Sequence, residues 1–360
     1  MILLSIVLIS FNSRRDLAQG LPYLFAQSVD PLEVVVVDNG SQDGTVAWLR
    51  DTYPAARVVS LSQNLGYGAA ANVGIGESHG AWVMVANPDT RFMPGSLQAL
   101  LEVARQRPDA LLTPKLVLAD GRVNALGNVM NMGGIASCWH YGEDAAGYRG
   151  VLEVPLLSGA AILAHREIWT RLGGFDPAIF LYMEDVDLSL RARLLGLRLY
   201  AVADAVVVHD YALRLTPAKL RWLEQHRQWT LLKIFRLRTL WKLAPAILLT
   251  NAMTWGFAWT RGLPYLKARL QADLWLWGHL AQLVRARRQF QPQRRREDTI
   301  VLTGLTLDLP WSQIEARAWT RRLATCLLHW AWAWSRWRLA PRVGSHEGTA
   351  PPPSSKERVL

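Results

Sequence analysis

From Ile2 to His209 the chain alternates short apolar runs with stretches of helical periodicity, and few architectures accommodate that alternation. Ile2–Ile9, Glu33–Val37, Arg57–Leu61, Trp82–Ala86 and Ala110–Thr113 are rich in β-branched residues and predict strands. Arg14–Ala26, Thr45–Thr52 and Ser96–Arg105 have amphipathic spacing and predict helices. Strands read as continuous apolar runs when both faces of their sheet are covered, so the pattern implies βαβ units and a mostly parallel α/β sheet flanked by helices. A Gly- and Asn-rich excursion from Ala119 to Pro155 predicts loops. Beyond it, Leu156–Ala164 predicts a strand, Glu184–Leu195 a helix and Leu199–His209 a last strand. No internal repeat interrupts this order. The apolar Met1–Ser10 lacks the positive n-region and small-residue cleavage site of a signal peptide, so a buried first strand in a cytoplasmic protein is expected.

After Pro217 the texture changes. Residues 1–215 carry 16 Lys and Arg against 21 Asp and Glu, a net charge of −5; residues 216–360 carry 24 against 8, a net of +16. Thirteen of the 17 tryptophans also fall after residue 220. Nucleic acid and an anionic membrane surface both attract such charge, but tryptophan in quantity favours the membrane, where its ring settles at headgroup level. Leu243–Trp259 has no charged residue yet contains Pro245, Asn251 and Gly256, which predicts an interfacial or re-entrant segment rather than a span. Trp311–Leu339 predicts a basic amphipathic helix, and the Pro-rich tail from Val343 a disordered end. The expected organisation is a catalytic unit over 1–215, a helical membrane-associating extension over 216–342 and a tail over 343–360. Hydrophobic residues at 51% and charged residues at 19% exclude a wholly disordered chain. Two cysteines, Cys138 and Cys326, are too few for a disulfide scaffold or a Cys-rich zinc module and fit a reducing compartment.

Ligands of a parallel α/β sheet bind beyond the C-terminal ends of its strands. Three polar clusters fall at such ends: Ser10-Phe11-Asn12, Asp38-Asn39-Gly40-Ser41 and Asn87-Pro88-Asp89. Each alone reads equally as a helix cap or turn; three at equivalent ends of one sheet point to a site. A carboxylate such as Asp38 can accept hydrogen bonds from a ribose or base, and Asp89 is placed to hold a hard divalent cation, Mg²⁺ or Mn²⁺, on a diphosphate. Asn64-Leu65-Gly66-Tyr67-Gly68, running into Asn72, opens a helix with residues small enough for close ligand approach. Further on, Glu184, Asp185 and Asp187 crowd a helix start. They either compensate the helix dipole or include a general base for an incoming hydroxyl. His209, at a strand end, is either a metal or phosphate ligand or a structural histidine.

Taken in order, these pieces resemble the inverting family 2 glycosyltransferases of GT-A fold, and within them the bacterial rhamnosyltransferase-like branch. The resemblance covers residues 3–210. It rests on Ser5–Asn12, Val36–Thr45, Asn64–Gly68 with Asn72, Asn87-Pro88-Asp89, Ser158-Gly159-Ala160, Gly173-Gly174-Phe175-Asp176, and Tyr182 through Glu184-Asp185-Val186-Asp187 to Arg191. It implies that Ser10, Asn12, Asp38, Asn39, Asn64, Gly66, Asn72, Asn87 and Ser158 bind a nucleotide-diphosphate sugar. It further implies that Asp89, with His209, coordinates a divalent metal, and that Asp185, with Glu184 close by, is the catalytic base of a direct displacement. The sequence departs from the family pattern at Asp210-Tyr211-Ala212 and at His165, where Arg is common.

The branch points to dTDP-L-rhamnose as donor and to a polyprenyl-diphosphate-linked or saccharide acceptor in surface-glycan synthesis. The basic extension would then hold the enzyme peripherally at the inner face of the plasma membrane. Two other classes stand against this reading. A sugar nucleotidyltransferase wants a basic Gly-rich loop after the first strand, which Ser10-Phe11-Asn12-Ser13 does not supply. A nucleic-acid binder wants a recognisable module, whereas these cations interleave with Trp and Leu, so no nucleic-acid partner is expected.

Overall fold

Strand β1 (Leu4–Ser10) has no polar face: all seven of its residues are buried. That follows from covering both sides of the sheet it centres. The computed structural model describes residues 3–211 and 214–306, with positions 327, 329, 330 and 333; the predicted helix over Trp311–Leu339 and the tail lie almost wholly outside the described residues. After β1 come α1 (Arg14–Phe25), β2 (Leu32–Asp38), α2 (Thr45–Thr52), β3 (Arg57–Ser60), α3 (Tyr67–Glu77), β4 (Trp82–Ala86), β5 (Arg91–Phe92), α4 (Ser96–Gln106) and β6 (Ala110–Val117). Short strands β7 (Val123–Ala125), β8 (Asn128–Asn131), β9 (Ala136–Cys138) and β10 (Val151–Glu153) lead to β11 (Ala161–His165), α5 (Arg166–Leu172), α6 (Glu184–Leu194) and β12 (Arg198–Val208). The rest is helical: α7 (Pro217–Ile234), α8 (Leu237–Arg261), α9 (Leu263–Gly278), α10 (Leu280–Phe290) and α11 (Thr299–Leu302), closed by β13 (Leu305–Thr306).

The main sheet runs β10-β12-β6-β11-β4-β1-β2-β3. Strands β3, β2, β1 and β4 are mutually parallel, β12 is parallel to β6, and β11 enters antiparallel between β4 and β6. Alternate residues of β1 feed two cores. Leu4, Ile6 and Leu8 meet Leu17 and Leu21 of α1 and Leu97 and Leu100 of α4. Val7 and Ile9 meet Ala70 and Ala71 of α3, with Trp169 and Leu188 in the same core. Each fully buried aliphatic side chain contributes about 1.5–3 kcal/mol.

A third core joins the sheet half to the helices. Val186, Leu190 and Leu194 of α6 pack with Leu231, Ile234 and Phe235 at the end of α7 and with Leu243 of α8. Buried ion pairs reinforce it. Lys233 of α7 lies 2.5 Å from Asp176 and also contacts Asp187, while Arg191 donates to Asp187 at 2.7 Å and to the carbonyls of Leu172 and Gly174. Burial pushes the Asp176 carboxyl up, but the Lys233 ammonium and the Trp229 indole N–H more than reverse this.

The excursion expected as loops from Ala119 to Pro155 carries β7 to β10, and other sequence expectations change as well. The strand expected over Leu156–Ala164 forms only from Ala161; Pro155–Ala160 is a loop, and this frees Ser158 and Gly159 for the site. Leu243–Trp259 is not a separate segment but the middle of the 25-residue α8, whose ladder continues past Pro245. No helix among the described residues is long and apolar enough to cross a membrane.

Candidate active site

A cavity of about 1050 Å³ opens at the C-terminal ends of β1, β2 and β4. Phe11, Asn39, Asn64, Asn87, Asp89 and Ser158 line one side, and Glu184 and Asp185 also face it. Ser10 and Asp38 lie behind this lining, paired across β1 and β2 and both buried. Asp38 accepts from the Ser41 amide at 3.1 Å through one oxygen, while its other oxygen and the Ser10 hydroxyl have no partner.

The loops at the strand ends are tied together by asparagines. Asn39 donates to Asn64 Oδ1 at 3.0 Å and to the Gly66 carbonyl at 3.2 Å, and accepts from the Leu65 amide at 2.8 Å. Gly66 has a left-handed φ of 85°, and a Cβ there would collide with the Phe180 backbone. Asn12, at φ 51°, accepts from the Gln42 amide and donates its own N–H to Ser41, both at 2.8 Å. Asn72, expected at the nucleotide, does not reach the cavity. Its amide clamps Phe175, accepting from that backbone N–H at 2.8 Å and donating to its carbonyl at 2.9 Å.

Asp89 and His209, 120 positions apart in the chain, face each other with Nε2 3.4 Å from Oδ1. That Asp89 oxygen is buried and makes no hydrogen bond. Burial raises its carboxyl, but the facing His209 holds it net below the usual carboxylate range. His209 is oriented from behind by Asn124, 3.2 Å from Nδ1. One hard oxygen and one imidazole nitrogen suit Mg²⁺ or Mn²⁺, and an unpartnered buried oxygen fits such a role. Among the described residues no group of three His, Cys, Asp or Glu side chains is placed to hold a metal ion.

The acidic cluster divides by position. Asp187 points inward to Lys233 and Arg191, whereas Glu184 and Asp185 line the cavity. Asp185 Oδ2 accepts from the Gly159 amide at 2.9 Å and from Asn128 at 3.0 Å; Oδ1 accepts from the Val186 amide. Glu184 keeps one buried oxygen without a partner. Burial raises both carboxyls, and for Glu184 the adjacent Asp185 charge adds to it, so the two titrate as a pair. A Cβ at Gly159 would sit 3.1 Å from that of Asp185, leaving no room for any larger residue without moving the carboxylate.

The turn entering α6 is strained: Tyr182 and Met183 both have left-handed φ, 64° and 72°. Non-glycine residues hold such angles at a cost of about 1–3 kcal/mol each and need outside support. Here it comes from two directions. The Tyr67 amide donates to the Phe180 carbonyl at 2.8 Å. From α7, His226 receives the Phe180 amide on Nε2 at 3.3 Å and donates from Nδ1 to the Leu181 carbonyl at 2.8 Å. Burial lowers His226 to about 4, so it is neutral and can serve as acceptor and donor at once.

Residues 5–167 match the family description "Glycosyl transferase family 2". An N-acetylglucosaminyl-diphospho-decaprenol L-rhamnosyltransferase of Mycobacterium tuberculosis is 34% identical over 234 residues, spanning 58% of this chain and 76% of that protein. This chain belongs to glycosyltransferase family 2. A succinoglycan biosynthesis protein, ExoO, of Rhizobium meliloti is 36% identical over 101 residues, 27% of this chain and 28% of that one. Among solved structures, S. aureus TarS 1–349 with UDP-GlcNAc superposes with a TM-score of 0.53 at 17% identity, covering 92% of this chain and 88% of that one. GalNAc-T7 with UDP, GalNAc and Mn²⁺ superposes with 0.53 at 14%, covering 63% and 48%. The fold is GT-A, as the sequence resemblance implied.

In this glycosyltransferase the cavity also holds residues that sequence reasoning missed. Asn128 is one, and its only sequence signal is the Gly/Asn-rich texture of the excursion that carries it. Tyr67 is another: its hydroxyl donates to the Gly159 carbonyl at 3.1 Å and is kept protonated by burial and the charges of Glu184, Asp185 and Asp89. His226 acts from outside the cavity, in a segment the sequence marked only by composition.

Proposed function

We propose that this glycosyltransferase moves a sugar, L-rhamnose from dTDP-L-rhamnose, onto a hydroxyl of a polyprenyl-diphosphate-linked or saccharide acceptor, with inversion and with a divalent metal. The observation that carries this reading is the convergence of Asp89 and His209 with Glu184 and Asp185 on one cavity at the sheet's C-terminal edge. The name of the mycobacterial relative supports the donor sugar and the lipid-linked acceptor. The Mn²⁺ of GalNAc-T7 supports the metal.

In this reading Ser10, Asn12 and Asp38 form the floor under the nucleoside, and Asn39, Asn64, Gly66, Asn87 and Ser158 line the path of the diphosphate and sugar. Asp89 and His209 would hold Mg²⁺ or Mn²⁺, which offsets charge on the departing diphosphate. Asp185, fixed by Gly159 and Asn128, takes the proton of the acceptor hydroxyl. The freed oxygen forms the new bond to the anomeric carbon as the bond to the nucleotide diphosphate breaks, so no sugar–enzyme bond is made. A carboxyl raised by burial toward the working pH is the better base, and a positioned base contributes about 10²–10⁴-fold. The basic helices, with Trp241, Trp259 and Trp277 exposed, would rest on an anionic cytoplasmic leaflet at about 1 kcal/mol per Lys or Arg near the surface.

The test is nucleoside diphosphate release from UDP-, dTDP- and GDP-sugars with Mg²⁺, Mn²⁺ or EDTA. Release from one donor, abolished by EDTA, is expected. Asp89→Ala should lose metal-dependent donor binding, whereas Asp185→Ala should bind donor and fail to transfer. Near-normal transfer by Asp185→Ala would overturn the base assignment.

A further inference from the structure

The cavity has a second rim that none of these roles uses. Arg214, Leu215, Leu223, Phe257 and Arg261 line it, drawn from the segment after β12 and from α7 and α8. Its two guanidinium groups come from distant parts of the chain, and Tyr265 of α9 links the segments that bear them. Its hydroxyl donates to the Leu215 carbonyl at 2.9 Å, one residue from Arg214, and its ring packs edge-on against Phe257 at 6.0 Å. Arg261 in turn lies over the Phe257 ring at 5.3 Å. The neighbouring Lys219 is turned to the Tyr211 hydroxyl at 3.1 Å, leaving the rim's cationic character to the two arginines.

The rim also faces outward. Arg261 ends α8 at a sharp corner, where Gly262 takes a φ of 94° and α9 begins. On either side of it stand Trp259 and Leu263, 75% and 77% exposed, the two most exposed large apolar side chains among the described residues. One cavity therefore holds the two carboxylates and two guanidinium groups, and the helix corner that bears Arg261 also bears two exposed apolar side chains. An amphiphile that joins a hydroxyl, an anion and a hydrocarbon matches that set of groups.

We infer that this rim binds the diphosphate and first isoprenoid units of the lipid-linked acceptor, with Arg214 and Arg261 on the diphosphate and Trp259 and Leu263 on the hydrocarbon. This rests on the glycosyltransferase reading above and extends it to a site. A sugar whose hydroxyl reaches Asp185 carries its anomeric diphosphate into the same cavity, whose lining includes both arginines. Guanidinium suits that anion because its fork pairs with two phosphate oxygens at once.

The experiment titrates the full chain with farnesyl diphosphate, farnesol and inorganic diphosphate, holding the nucleoside diphosphate found in the donor screen saturating so that the donor end is filled. Farnesyl diphosphate should bind, and the Arg214→Ala/Arg261→Ala double variant should bind it at least about tenfold more weakly, the scale of a charge-assisted hydrogen bond. Trp259→Ala/Leu263→Ala should weaken farnesyl diphosphate and leave inorganic diphosphate unchanged. Unchanged nucleoside diphosphate affinity in each variant shows that the fold is intact. Equal farnesyl diphosphate affinity in wild type and the arginine variant would overturn the inference, as would inorganic diphosphate binding as tightly as farnesyl diphosphate. Failure of wild type to turn over any sugar nucleotide would instead sink the functional reading; the titration, repeated without nucleotide, would then still decide the rim.

Discussion

At the sheet end, Asp38, Asp89 and Glu184 each keep a buried carboxylate oxygen without a hydrogen bond. In the helical segment the buried carboxylates are saturated. Glu224 pairs with Arg227 at 2.7 Å and lies 3.3 Å from Arg269, Arg269 also pairs with Asp273, and Arg294 pairs with Asp298. Buried polar groups ordinarily find partners, so unpartnered carboxylate oxygens gathered at one sheet end suit a ligand that supplies the missing contacts. The contrast also revises the meaning of the +16 charge. Arg227, Lys233 and Arg269 are buried and committed to internal pairs, so only part of that charge faces outward.

Removing a partner from the satisfied side should have the largest effect. Lys233→Met leaves Asp176 buried without its cation and Asp187 paired with Arg191 alone, and a loss of about 3–5 kcal/mol in urea unfolding is expected. Arg236, in an exposed pair with Glu297, is the matched control and should cost no more than about 1 kcal/mol. Similar losses for the two would break the comparison.

A middle-sized effect is expected where the halves touch. His226→Ala releases Phe180 and Leu181, two hydrogen bonds worth about 1 kcal/mol each, and kcat should fall roughly 30-fold with donor affinity kept. His226→Gln, able to accept at the Nε2 position, should recover part of it. An equal fall in donor affinity would reassign His226 to general folding.

The smallest effect is a gain. Glu184 is raised in the folded chain, so the folded state binds more protons than the unfolded one above the ordinary carboxyl pKa. Stability therefore declines as pH rises through about 4 toward the raised value. Glu184→Gln should remove that decline and stabilise the protein at pH 8 by on the order of 1 kcal/mol, one pKa unit being worth about 1.4. A thermal midpoint that falls at pH 8 would show that Glu184 is already compensated.

Much of the sheet half was legible because its signals are local. The strand at Trp82–Ala86 and the helix at Thr45–Thr52 match expectation to the residue, each bounded by turn-forming neighbours. The first strand was placed two residues early, and β6 runs four residues beyond Thr113. Asp89 and the Glu184-Asp185 pair could be singled out by motif, and the structure brings them to one cavity. The division of labour within the acidic cluster could not be read. That Asp187 faces inward depends on Lys233, 46 positions away and on another helix. Asn72 misled for the same reason: an amide beside a Gly-rich loop suits a ligand as well as it suits the Phe175 backbone, and only tertiary placement decides.

The triad of Asp176, Asp187 and Lys233 also constrains how such enzymes can be recombined. A chimera that joins this sheet half to another relative's helices near residue 215 would separate the ammonium from both carboxylates. Unless the incoming helix brings a cation at the position of Lys233, the crossover leaves Asp176 buried with no counterion and Asp187 with Arg191 alone. Grafting new helices onto this scaffold is thus a problem of inheriting one lysine together with its two aspartates, and a crossover after Ile234 keeps all three from the same parent.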